Sequence, residues 1–78
     1  MTLSAPNTVT LHSTLLASVR YDVDDSLLHL NFCDGAIYHY FDVPGAIHQG
    51  LLAADSKGGY FNRQIRGRFR YTCLRRLA

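Results

Sequence analysis

From Leu15 to Asp22 apolar and polar positions alternate, with Ala17, Val19 and Tyr21 set against Ser18, Arg20 and Asp22. Successive side chains of a strand point to opposite faces, so this period of two predicts a half-buried strand. Leu27–Phe32 repeats the pattern, with Leu28, Leu30 and Phe32 against Leu27, His29 and Asn31. Between the two, Val23–Ser26 predicts a turn, because short Asp and Ser side chains hydrogen-bond their own backbone. Asp34-Gly35 is the strongest hairpin signal in the chain. Ala36–Val43 follows as a third strand.

After Pro44 the period lengthens. Ile47, Leu51 and Ala54 fall at helical spacing with Leu52 beside them, so Pro44–Asp55 predicts a helix begun at its proline. Gly45 and Gly50 weaken it, by about 1 kcal/mol each where interior. Asp55 or Ser56 is placed to cap a second helix, Ser56–Gly67. There Phe61 and Ile65 share a face, and Gly67 suits the stop. From Arg66 alternation returns, with Arg66, Arg68 and Arg70 against Phe69, Tyr71 and Cys73. This predicts a last strand pairing with an edge of the meander.

Residues 1–12 show no clear period and predict a flexible arm, with a short extended piece at Val9–Leu11. Residues 13–74 form the domain and residues 75–78 a basic tail. The expected class is α+β: a small antiparallel meander of three to four strands, open or curled in a barrel-like way, with two short helices after the third strand.

Tyr38 and Tyr40 stand two apart on that third strand and share a face. Hairpin register decides which face. A two-residue turn sets Asn31 opposite Tyr38 and His29 opposite Tyr40, on the more polar side. A three-residue loop with Gly35 left-handed sets Leu30 opposite Tyr38 and Leu28 opposite Tyr40. One slip exchanges the faces. The longer loop removes His39 from the leucine side, which favours it. It leaves Ile37 and Phe41 on the other side, which the helices would then have to cover.

At 78 residues the chain is one domain at most. So small a domain buries only about 60–65% of its unfolded surface, which disfavours a deep catalytic cavity. Nothing resembles a signal peptide, and no apolar run reaches the roughly 18–20 residues that span a bilayer. A soluble, cytoplasmic protein with no membrane partner is expected. Cys33 and Cys73 lie in no CxxC pair, and reduced packing thiols are expected. The histidines His12, His29, His39 and His48 have no metal-ligand spacing. No metal, cofactor or catalytic residue is expected, and the chain is read as not an enzyme.

Charge changes the picture more than composition does. Through residue 55 one cation stands against six aspartates, a balance of −5. Residues 56–78 carry seven cations and no acid, six of the seven being Arg. Arg presents a planar fork of donors that suits phosphate. The segment either faces a polyanion or folds over the acidic half and neutralises it. The candidate nucleic-acid contacts are Tyr38, Tyr40, Lys57, Tyr60, Arg63, Arg66, Arg68 and Arg70. The tyrosines would stack on unpaired bases. On a strand the arginines at 66, 68 and 70 would recur about every 6.8 Å, a fit to successive phosphates. Ser56-Lys57-Gly58-Gly59 offers a helix N-terminus for an anion, although a capped inter-helix turn accounts for it more simply.

The stretches VRYD, LHLNF, DGAIYHYFDVP and LLAADSKGGYFNRQIRGRFRY closely resemble the KTSC domain, over roughly residues 12–74. That family is named for its occurrence at the C-terminus of some lysyl-tRNA synthetases and also occurs as small single-domain bacterial proteins. Tyr38-x-Tyr40 is its central mark. The resemblance implies a stand-alone domain whose suggested role, RNA binding, comes largely from the synthetase context. The expectation is therefore non-catalytic RNA binding. The rival is a protein-interaction or homo-oligomer module, because a short meander leaves exposed edges.

Overall fold

A computed structural model describes residues 8–75. Five strands and two helices follow in the order β1 (Val9–Thr10), β2 (Leu16–Asp22), β3 (Leu27–Phe32), β4 (Ile37–Tyr40), α1 (Gly45–Ala53), α2 (Lys57–Gln64) and β5 (Tyr71–Arg75). The strands form one antiparallel sheet in chain order. The α+β class is as expected, with five strands in place of three or four. The sheet stays open instead of closing like a barrel, and β1 and β5 are its edges.

The hairpin resolves in the longer register. Phe32 N donates to Ala36 O at 2.9 Å, and Gly35 adopts φ 95°. Leu28 therefore faces Tyr40, His29 faces His39, and Leu30 faces Tyr38. The β2–β3 turn forms as its composition demands, Asp22 Oδ1 accepting from Asp24 N at 3.1 Å. A bulge between Leu16 and Ser18 shifts the alternation at the start of β2, so that Leu16 is buried along with Val19 and Tyr21. Strand β4 is shorter than the expected Ala36–Val43. Asp42 takes φ 56° and turns the chain, and Val43 drops into the core.

Both helices lie on the Leu28/Leu30/Tyr40 side. Leu51 of α1, Phe61 of α2 and Ile65 are buried against Leu16, Val19, Tyr21 and Val43. Helices over Ile37 and Phe41 are thus corrected. The other side of the sheet presents Ser18–Asn31 and Arg20–His29–His39, half-buried or exposed and joined by side-chain hydrogen bonds.

Pro44 is the N-cap of α1, and Ser56 caps α2 by accepting from Gly59 N at 3.1 Å. Gly50 has a packing reason. The Tyr60 ring lies directly over it, leaving no room for a Cβ. Gly67 takes φ 76° two residues past the C-cap Ile65 and ends the helical path.

Two sequence readings change at the termini. Of the stretch read as an arm, residues 1–7 lie outside the described residues. Beyond them Val9–Thr10 pairs with β2 and Leu11 is buried. The last strand does not begin at Arg66. Residues 65–69 form turns and bends, and β5 starts at Tyr71. Of the tail read over 75–78, Arg75 closes β5 and the rest lies outside the described residues.

Candidate nucleic-acid interface

Strand β4 sets Tyr38 and Tyr40 side by side, and β5 sets Tyr71 opposite Tyr40. The Tyr38 and Tyr40 rings stack with centroids 6.2 Å apart. Tyr71 tilts against both at 5.5 Å. Phe32 meets Tyr38 edge-on at 5.4 Å and Phe61 at 5.3 Å. Five rings from three strands and one helix thus form one cluster. Such offset and edge contacts are favoured by the ring quadrupoles.

The cluster grades from core to solvent. Tyr40 is only 4% exposed, Tyr38 is half-buried, and Tyr71 is 55% exposed. Burial pushes the Tyr40 hydroxyl up to about 12, helped by Tyr38 and Tyr71 and opposed by Arg66. Tyr40 is thus a core residue, Tyr38 a wall, and Tyr71 a ring that a ligand can reach.

A groove of about 660 Å³ opens along this wall, between β4–β5 and the end of α2. Ligand sites commonly measure roughly 300–1,000 Å³. Besides the rings it is lined by Leu15, Asp34, Asn62 and Arg66. It joins flat apolar faces to one guanidinium, one carboxylate and one amide.

The expected contacts divide. Tyr38, Tyr40 and Arg66 meet at the groove, and the rest do not. Lys57 Nζ donates to the carbonyls of Leu52, at 2.9 Å, and Ala54, so it tethers the end of α1. Ser56–Gly59 forms the capped inter-helix turn that accounted for this stretch more simply than an anion cradle, Ser56 Oγ accepting from Gly59 N at 3.1 Å. Tyr60 is spent on Gly50. Arg63 is exposed on α2, and its carbonyl accepts from Arg68 Nε at 2.7 Å. Arg70 pairs with Asp42 at 3.0 Å and lies over the Phe41 ring, 5.1 Å from its centroid. The even Arg ladder is therefore corrected, because Arg66 and Arg68 sit in a turn and not on a strand.

Internal neutralisation of the basic segment is slight. Arg70–Asp42 is the one ion pair among the described residues, and its side chains are 75% and 79% exposed. Exposed pairs contribute about 0–1 kcal/mol.

Tyr71, Phe32, Asp34 and Asn62 were missed as site residues. Their signal was available in part, since pairing β5 against β4 places Tyr71 beside Tyr40. No cluster of three or more potential metal ligands occurs among the described residues. No helix among them is long and apolar enough to cross a membrane.

The KTSC domain matches residues 12–69, most of the chain. The chain belongs to the KTSC domain family. The crystal structure of a KTSC domain protein from Yersinia pestis superposes with a TM-score of 0.78 at 32% identity, covering 91% of this chain and 96% of that one. An uncharacterised protein of Stutzerimonas stutzeri is 44% identical over 55 residues, which are 70% of this chain and 78% of that protein. A lysine–tRNA ligase of a Nostoc species is 40% identical over 61 residues, 78% of this chain but 11% of the ligase. The KTSC domain is thus nearly the whole of one relative and a small segment of another. In this KTSC domain the Tyr38-x-Tyr40 pair forms the inner wall of the groove.

Proposed function

We propose that this domain binds single-stranded RNA without catalysis, through the groove between Tyr38, Tyr71 and Arg66. The observation that carries the reading is Arg66 on the rim of a groove whose walls are aromatic and whose outermost ring, Tyr71, is 55% exposed. Aromatic faces stack on unpaired bases whatever their sequence, and Arg contacts phosphate. The cations of residues 56–75 leave this segment positively charged, with one ion pair, Arg70–Asp42, among the described residues. Relatives named lysine–tRNA ligase carry a matching segment, so the same domain occurs within proteins whose name gives tRNA as a substrate. The proposed setting is the cytoplasm, consistent with Cys33 and Cys73 as free thiols.

The test is fluorescence anisotropy of a labelled single-stranded RNA titrated with the protein at several salt concentrations. Binding should weaken as salt rises, with log K falling by about 0.7 per phosphate neutralised. Tyr71→Ala should weaken it about tenfold, the scale of one base–aromatic stack. No binding at low salt would remove the reading.

A second reading rests on the outer edge of β5, which has no partner strand among the described residues. Leu74, 56% exposed, lies on this edge strand. A second copy pairing there would make a homo-oligomer by strand addition. Sedimentation at rising concentration separates the two readings, since the RNA reading needs only a monomer.

A further inference from the structure

Asp34 is an unexpected residue in a groove read as a polyanion site. It lines the same cavity as Tyr38, Tyr71 and Arg66. Its Oδ1 accepts from Ala36 N at 2.9 Å, which fixes the carboxylate at the β3–β4 turn. Among the described residues no cation pairs with it, the one ion pair there being Arg70–Asp42. No donor among those residues engages its second oxygen.

A fixed carboxylate repels phosphate, so the backbone of a bound strand must run at the Arg66 side and a base must face Asp34. Two carboxylate oxygens accept only, and together offer about four lone-pair sites. One is used by Ala36. The base that suits such a group is one with two adjacent donors that a carboxylate can engage together while any acceptor on the same edge stays outside the contact. Guanine has this edge, N1–H beside the N2 amino group. Adenine and cytosine each set one amino group beside a ring-nitrogen acceptor, and uracil flanks its one N–H with two carbonyls. Those acceptors would face the carboxylate with like partial charge.

From this juxtaposition we infer that the groove selects an unpaired guanine: Asp34 accepts from its Watson–Crick edge, Tyr38 and Tyr71 pack its ring, and Arg66 holds the adjoining phosphate. The inference rests on the RNA-binding reading above and adds base identity to it. Single-stranded RNA is commonly read on such edges, its bases splayed against aromatic side chains.

The experiment compares four labelled RNAs in titrations of the intact protein: heptauridylate, and the same chain with its central uridine replaced by guanosine, adenosine or cytidine. The guanosine RNA should bind about tenfold tighter than the other three, the lower end of what a bidentate base contact discriminates. Asp34→Asn retains an Oδ1 to accept from Ala36 N, so the turn persists, and thermal melting checks that it does. Its amide sets a donor against guanine's donors, so the preference should shrink to about twofold or less. The ratio of affinities is the readout, because loss of the negative charge strengthens binding of all four RNAs alike. Equal binding of all four by the unaltered protein overturns the inference and leaves RNA binding standing. A guanosine preference that survives Asp34→Asn overturns Asp34 as its reader. Failure of all four to bind removes the RNA-binding reading, and the inference with it.

Discussion

His29 and His39 face each other across the β3–β4 ladder, with Nδ1 of the first 2.7 Å from Nε2 of the second. Arg20 Nη2 lies 2.9 Å from His29 Nε2. The same Nη2 lies 3.2 Å from His29 Nδ1, and a guanidinium can only donate, so His29 meets Arg20 with an unprotonated ring nitrogen. The row therefore holds together with the His29 ring neutral. Burial, then His39, then Arg20 lower the His29 pKa to about 4, with Asp22 opposing. Burial and Arg20 lower His39 as well, and burial lowers His48, stacked on Tyr21.

A pH dependence follows, and its sign is fixed. Each of these groups has a folded pKa below its unfolded value, so in between the unfolded chain binds more protons. Stability is complete above the ordinary value of 6.5 and falls as pH drops towards about 4. His29 lies on the open face of the sheet, so its part is discounted to on the order of 1 kcal/mol. Urea unfolding at pH 7, 6, 5 and 4.5 should show the loss. Replacing His29 and His39 together with Gln should make the curve shallower. A double variant with the same slope as the parent would remove the pair as its source.

Gly50 and Tyr60 carry a second prediction. An added Cβ at Gly50 would overlap the Tyr60 hydroxyl and lie 2.6 Å from its Cζ. In a helix interior Gly→Ala ordinarily gains about 1 kcal/mol. Here the ring must swing off α1, and overpacking costs typically 1–3 kcal/mol. Gly50→Ala alone should be neutral to destabilising by about 2 kcal/mol. In a Tyr60→Ala background the same change should stabilise by about 1 kcal/mol. A double-mutant cycle by denaturant unfolding reads the reversal of sign. Additive effects would mean the two residues do not interact.

The meander was legible because strand period and turn chemistry agree from Ser18 through the Val23–Ser26 turn to Phe32, whereas the bulge between Leu16 and Ser18 left no sign in the alternation. The longer hairpin loop was favoured on one consideration, keeping His39 off the leucine face, and β3–β4 pairing follows it. The position of the helices was not legible. Strand β4 carries large apolar or aromatic residues on both faces, so periodicity there could not choose a side. Arg66, Arg68 and Arg70 show how a period of two misleads. Their alternation runs through Gly67, whose φ of 76° belongs to no strand, and that glycine marks where the ladder reading fails. The aromatic wall was half visible. Tyr38 and Tyr40 are local in sequence, whereas Tyr71 and Phe61 reach it only through pairing and packing across about 20–30 residues of chain.

The three arginines now separate into unequal roles, which a salt titration resolves. Arg66 lines the groove, and its other contact is a marginal one, 3.5 Å to Asn62 Oδ1 four residues back. Arg68 is tied to the Arg63 carbonyl at 2.7 Å, and Arg70 to Asp42 and the Phe41 ring. Replacing all three with Ala should leave the fold intact, because every one of them is exposed. Arg66→Ala alone should account for most of the lost RNA affinity and lower the slope of log K against log salt by about 0.7, the loss of one phosphate contact on a single strand. Arg68→Ala and Arg70→Ala should each leave that slope nearly unchanged, since their charges act only from a distance and are screened within about 10 Å at 0.1 M salt. Three equal contributions would point instead to a diffuse basic surface and would move the phosphate path away from the groove.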